Sequence, residues 1–73
     1  MKIEITTDYI KLDQLLKFSG EAASGTDAKY YITEGMVKLN GEVELRRGKK
    51  IYKGDTVTIG GIFSKREVDI YVC

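Results

Sequence analysis

Seventy-three residues with a net charge of +1, 42% hydrophobic and 32% charged, describe one globular domain with no room for a second core. The longest uncharged apolar run falls far short of the roughly 20 residues of a membrane helix, and Met1-Lys2-Ile3-Glu4-Ile5 holds no signal-peptide block, so the expected compartment is the cytoplasm. The lone Cys73 can form neither an internal disulfide nor a zinc site, and the absence of His removes the commonest general base and metal ligand, so neither catalysis nor a metal or cofactor is expected.

From Lys2 to Thr6, Ile3 and Ile5 alternate with polar neighbours, the pattern of a strand. Thr6, Thr7 and Asp8 then supply cap-type residues ahead of a helical pattern. Leu12, Leu15, Leu16 and Ser19 follow at i, i+3, i+4 and i+7, one face of a short helix with Phe18 beside the stripe and Asp13 and Lys17 opposite. Gly20 stops it, because glycine tolerates the left-handed conformation of a helix end. Ser24-Gly25-Thr26-Asp27 opens a second helix: the Ser24 hydroxyl is placed to accept an early backbone N–H, and Asp27 sits three residues on, as in a capping box. Ala28, Tyr31 and Ile32 form its inward stripe, Thr26, Lys29 and Thr33 project elsewhere, and Gly35 ends it. Both helices are too short to stand alone and must pack against each other and a sheet.

Beyond Gly35 the period changes from helical to alternating. Val37 and Leu39 flank Lys38, Val43 and Leu45 alternate with Glu42 and Glu44, and Asn40-Gly41 between them is the strongest short hairpin signal. The run from Arg46 to Lys53 then places five cations in eight residues without a carboxylate. Residues 1–45 carry five lysines against eight acids, whereas residues 46–73 carry seven Lys and Arg against three. The near-neutral chain is therefore polarised, and its basic run is either a polyanion contact or a soluble loop that deters sheet-edge pairing. Lys53-Gly54-Asp55 turns the chain into Thr56-Val57-Thr58-Ile59, Gly60-Gly61 breaks it, and Glu67 to Cys73 forms a last strand with Val68, Ile70 and Val72 on one face. The order β-α-α-β-β-β-β predicts an α+β domain, two short helices packed on a small, mostly antiparallel sheet.

Four ordered segments resemble the S-four RNA-binding domain, named after small-subunit ribosomal protein four. Lys11-Leu12-Asp13-Gln14-Leu15-Leu16 matches the family's opening motif, with Lys in place of the usual Arg. Ser24, Ala28, Lys29 and Ile32 match its second helix, and Gly35-Met36-Val37-Lys38-Leu39-Asn40-Gly41 its helix end and hairpin. Lys53-Gly54-Asp55-Thr56-Val57-Thr58-Ile59 matches its basic Gly-Asp turn and following strand. The resemblance spans about residues 11–59, with flanking strands at 1–6 and 67–73, and is nearest to the small stand-alone bacterial members. It implies an alpha-L RNA-binding motif in a cytoplasmic monomer that binds ribosomal or transfer RNA without catalysis, alone or beside a ribosome or partner RNA enzyme. One departure stands out: Gly25 and Thr26 occupy positions where many members carry RNA-contacting Arg.

The resemblance nominates Lys11, Ser24, Gly25, Thr26, Lys29, Lys38, Arg46, Arg47, Lys49 and Lys50 for RNA contact, with the basic run replacing the missing Arg charge. Gly48 either lets a backbone approach a ligand or serves as a turn residue. Tyr31 is expected in the core. Tyr30 and Tyr52 could stack on bases, but their spacing shows no exposed platform, which leaves core or rim packing as the expectation. The alternative function is a β-grasp-type interaction or carrier module, suggested by Gly60-Gly61, although twelve residues follow Gly61 where a carrier needs a free end.

Overall fold

The computed structural model describes residues 1–60 and 67–73. Its elements are β1 (Lys2–Ile3), β2 (Tyr9–Lys11), α1 (Leu12–Phe18), α2 (Gly25–Thr33), β3 (Val37–Leu39), β4 (Glu42–Val43), β5 (Lys50–Tyr52), β6 (Thr56–Gly60) and β7 (Glu67–Val72). The expected α+β class holds: two helices lie against a five-stranded sheet of order β1-β7-β6-β3-β4, antiparallel except where β1 runs parallel to β7. Five strands were expected and seven form among the described residues. The additional two, β2 and β5, pair only with each other, as a two-stranded antiparallel ribbon. Gly61 of the expected Gly60-Gly61 break lies outside the described residues.

The start of α1 differs from expectation for a reason that also places the basic run. Thr6, Thr7 and Asp8 do not cap it; Thr7 Oγ1 instead donates to the Tyr9 carbonyl at 2.8 Å, and residues 9–11 stay extended. Lys11 stands at the N-cap with φ −72° and ψ 146° and makes no side-chain cap bond. The first helical N–H groups are satisfied across the fold: Leu12 N–H donates to the Lys49 carbonyl at 2.9 Å and Asp13 N–H to the Arg47 carbonyl at 3.1 Å. The basic loop is therefore the backbone cap of α1. By contrast, α2 starts as read, with the Asp27 N–H donating to Ser24 Oγ at 3.3 Å.

The core lies between the helices and one face of the larger sheet. Leu12, Leu15 and Leu16 of α1 and Ala28 and Ile32 of α2 are buried against Val37, Val57, Ile70 and Val72. Ile51 of β5 is also fully buried and ties the ribbon to this core. At the hairpin, Asn40 (φ 50°) and Gly41 (φ 90°) both take positive φ, as a two-residue primed turn requires. That turn pairs Leu39 with Glu42 and Lys38 with Val43. Val43 consequently shares the outer face with Lys38, and it and Leu45 are more than half exposed. Asn40 is more than a turn residue. Its side chain donates to Asp55 Oδ1 at 3.1 Å and accepts from Thr56 N–H at 2.9 Å, while Asp55 Oδ2 accepts from Tyr52 N–H at 2.8 Å. The Asn-Gly and Gly-Asp turns are thus fastened to each other.

Candidate nucleic-acid interface

In the ribbon, Tyr9 pairs with Tyr52, Ile10 with Ile51 and Lys11 with Lys50. Side chains alternate across a strand, so Ile10 and Ile51 face inward and the two tyrosines and two lysines share the outward face. The rings of Tyr9 and Tyr52 lie 6.0 Å apart at a tilt of 54°, and Lys50 Nζ sits 4.8 Å from the centre of the Tyr9 ring, a cation–π contact. Lys11 and Lys50 are like charges directly opposed, an arrangement that repels.

The loop into β5 is ordered by an acid just upstream of the basic run. Glu44 Oε2 accepts from the Arg46 backbone N–H at 3.2 Å and from Nε at 3.1 Å, and Oε1 accepts from Nη2 at 3.0 Å. The hydrogen bond from the Arg46 side chain holds the Glu44 carboxyl below the usual carboxylate range and raises the guanidinium in turn. Arg46 thus spends part of its charge internally, although its side chain is 71% exposed against 12% for Glu44. Among the described residues, Lys11, Arg47, Lys49, Lys50 and Lys53 form no ion pair. A shallow open depression of about 480 Å³ is lined by Arg46, Gly48, Lys49, Lys50 and Tyr52. Gly48 has no positive φ, and a Cβ there would meet nothing within 4 Å, so neither backbone strain nor crowding requires glycine.

The fold thereby brings Lys11, Arg46, Arg47, Lys49 and Lys50 to the ribbon and its loop. The other nominated residues lie elsewhere. Ser24, Gly25, Thr26 and Lys29 are exposed on or beside the first turns of α2, and no hydrogen bond or ion pair among the described residues joins that helix to the basic loop. The acid Asp27 already stands at the positive end of this helix. Lys38 lies on the outer face of the larger sheet, paired with Thr58 and Val43.

Tyr31, expected in the core, is half-buried and packed against it, its ring edge-on to Tyr30 at 6.1 Å. Tyr30 and Tyr52 are 45% and 48% exposed, and Tyr9, which drew no notice in the sequence, is 37% exposed. The available signal was a pair of short alternations, Tyr9-Ile10-Lys11 and Lys50-Ile51-Tyr52, which are mirror images in an antiparallel register.

Comparison with known proteins agrees with this architecture. The S4 domain family model matches residues 3–65. The probable ribosome maturation protein RlbA of Bacillus subtilis is 42% identical over 67 residues, covering 92% of this chain and 94% of the relative. The putative RNA-binding protein YbcJ of Escherichia coli is 45% identical over 53 residues, covering 73% and 76%. The solution structure of E. coli YbcJ, described as revealing an alphaL motif involved in RNA binding, superposes with a TM-score of 0.67 at 35% identity, covering 96% of this chain and 85% of that one.

Proposed function

The chain belongs to the S4 domain family, and on that premise we propose that residues 1–73 act as one non-catalytic unit that docks on structured RNA. One observation carries the reading: Lys11, Arg47, Lys49 and Lys50 gather on the ribbon and its loop without an ion pair among the described residues. Two opposed lysines at a cross-strand position cost stability in the free protein, and a bound polyanion relieves that cost. Arg47 offers a planar fork to phosphate, and the lysines offer point charges. Arg46 adds to the same surface when its guanidinium is shared between Glu44 and an RNA phosphate. Lys29, Lys38 and the Ser24-Gly25-Thr26 turn supply outlying contacts, the last through backbone N–H groups rather than side-chain charge.

The descriptions of the relatives point the same way, since YbcJ is named for RNA binding and RlbA for ribosome maturation. Ribosomal or transfer RNA is the target class, met in the cytoplasm by a monomer, with a ribosomal particle or an RNA-modifying enzyme as further partner. An A-form duplex hides its major-groove edges, so recognition is of shape and backbone. The family match leaves the β-grasp carrier alternative without support.

The test is a binding titration with bulk ribosomal RNA across a range of salt. Affinity falls steeply as salt rises, with a logarithmic slope of about 0.7 to 0.9 per phosphate contact. Changing Arg46, Arg47, Lys49 and Lys50 to Glu abolishes binding. No binding at low salt, or binding indifferent to those four changes, refutes the reading.

A further inference from the structure

We propose that the outward face of the β2–β5 ribbon seats an unpaired RNA base, with Tyr52 as the stacking ring and Lys50 and Lys11 as contacts to its phosphates. The inference rests on the RNA-binding reading above and adds which part of an RNA this face takes. Phosphate contact alone needs only cations, yet this face interleaves its two lysines with two exposed aromatic rings, Tyr9 at 37% and Tyr52 at 48%. Aromatic rings beside a basic groove are the general means by which proteins hold single-stranded nucleic acid, because every base has a π-face.

The geometry divides the work between the rings. Lys50 Nζ stands 4.8 Å from the centre of the Tyr9 ring, so that ring is already engaged in holding the ammonium. Tyr52 has no such cation over it among the described residues, and it lines the depression of about 480 Å³ together with Lys49 and Lys50. The 54° tilt between the rings denies a base two parallel walls, so the face takes one base against one ring. Lys50 and its cross-strand neighbour Lys11 then lie beside that base, where the sugar–phosphate chain must pass. Inside a duplex each base face is covered by its stacked neighbours and only the end pairs leave one face open, so an unpaired base, in a loop, bulge or single-stranded extension, is what meets Tyr52 best.

Fluorescence anisotropy with two labelled RNAs tests this: a blunt-ended duplex, and the same duplex with a short adenosine-rich single-stranded extension. The wild-type chain binds the extended RNA more tightly. Tyr52→Leu weakens its binding to the extended RNA by about 5- to 150-fold, the range of one base–aromatic stack, and leaves the blunt duplex unchanged. Tyr52→Phe retains the preference, and circular dichroism verifies that both variants are folded. The proposal is overturned if the wild type shows no preference for the extension, if the preference survives Tyr52→Leu, or if Tyr52→Leu weakens both RNAs equally, which assigns the ring to holding the ribbon. Failure of the underlying RNA-binding reading looks different, since then neither RNA binds the wild type at low salt.

Discussion

Two open sheet faces differ sharply in what they accumulate. The outer face of the five-stranded sheet carries Lys2 and Lys38 but also Glu67 and Asp69, and Thr58 Oγ1 donates to Asp69 Oδ1 at 2.9 Å. The outer face of the ribbon carries Lys11 and Lys50 with Tyr9 and Tyr52 and no acid. The same alternation rule builds both, yet only the larger face balances its charge as a solvated surface does. Both faces leave tyrosine half in water, Tyr71 on the larger one, but only the ribbon concentrates one sign and opposes its two lysines. That concentration of one charge on one face is what the proposed RNA contact rests on.

The strongest way to break the contrast is to detach the ribbon. Ile51 is fully buried beneath it, and Ile51→Ala lowers unfolding stability by about 2–5 kcal/mol in a denaturant titration. RNA affinity falls with it although no charge has changed. An intact affinity in this variant would show that the cations bind RNA without the ribbon to position them.

A smaller effect sharpens the contrast by separating stability from function. Lys11→Gln removes the like-charge pair, adds no favoured helix-capping side chain and raises stability by up to about 0.5 kcal/mol. The same substitution weakens RNA binding and lowers the salt slope by about 0.7. Loss of stability on this change would remove the argument that the free ribbon is electrostatically strained.

The smallest effect concerns the loop beside the ribbon. Glu44 has its carboxyl lowered by Arg46, so the pair's contribution is present above the ordinary carboxylate range and is lost as pH falls through the lowered value. The melting temperature of Glu44→Gln therefore lies slightly below that of the wild type near neutral pH, and the two converge in acid. With Arg46 released, the salt slope for RNA rises by about 0.7. A melting difference that does not change with pH would mean that Glu44→Gln acts through something other than the loss of the ionised pair.

Much of the fold was legible because its signals are local. Ser24 caps α2 where the capping pattern placed it, Gly20 and Gly35 both adopt positive φ at the helix ends, and Asn40-Gly41 makes the expected turn. The start of α1 misled because its N–H groups are capped by the carbonyls of Arg47 and Lys49, which are remote in sequence, while the nearby Thr7 bonds within its own turn. The carboxylate-free basic run was read correctly as a sequence, but Glu44 lies just outside it and folds back onto Arg46. Of the tyrosines, Tyr9 was passed over and Tyr52 was weighed between stacking and core or rim packing, because three-residue strands are too short to announce a period.

The sequence by itself therefore determined the elements whose cause lies within a few residues: the caps, the glycine stops, the tight turn, the alternation of β3 and β6, and the excess of positive charge after the hairpin. Only the tertiary structure decided which cations stand together and which rings accompany them. Tyr9–Lys11 and Lys50–Tyr52 are separated in the chain by both helices and the hairpin, and they meet because Ile51 is buried in the core and the start of α1 needs carbonyl partners. Burial and unsatisfied backbone groups are settled by the whole fold at once, and a surface assembled as their by-product leaves no local trace in the sequence.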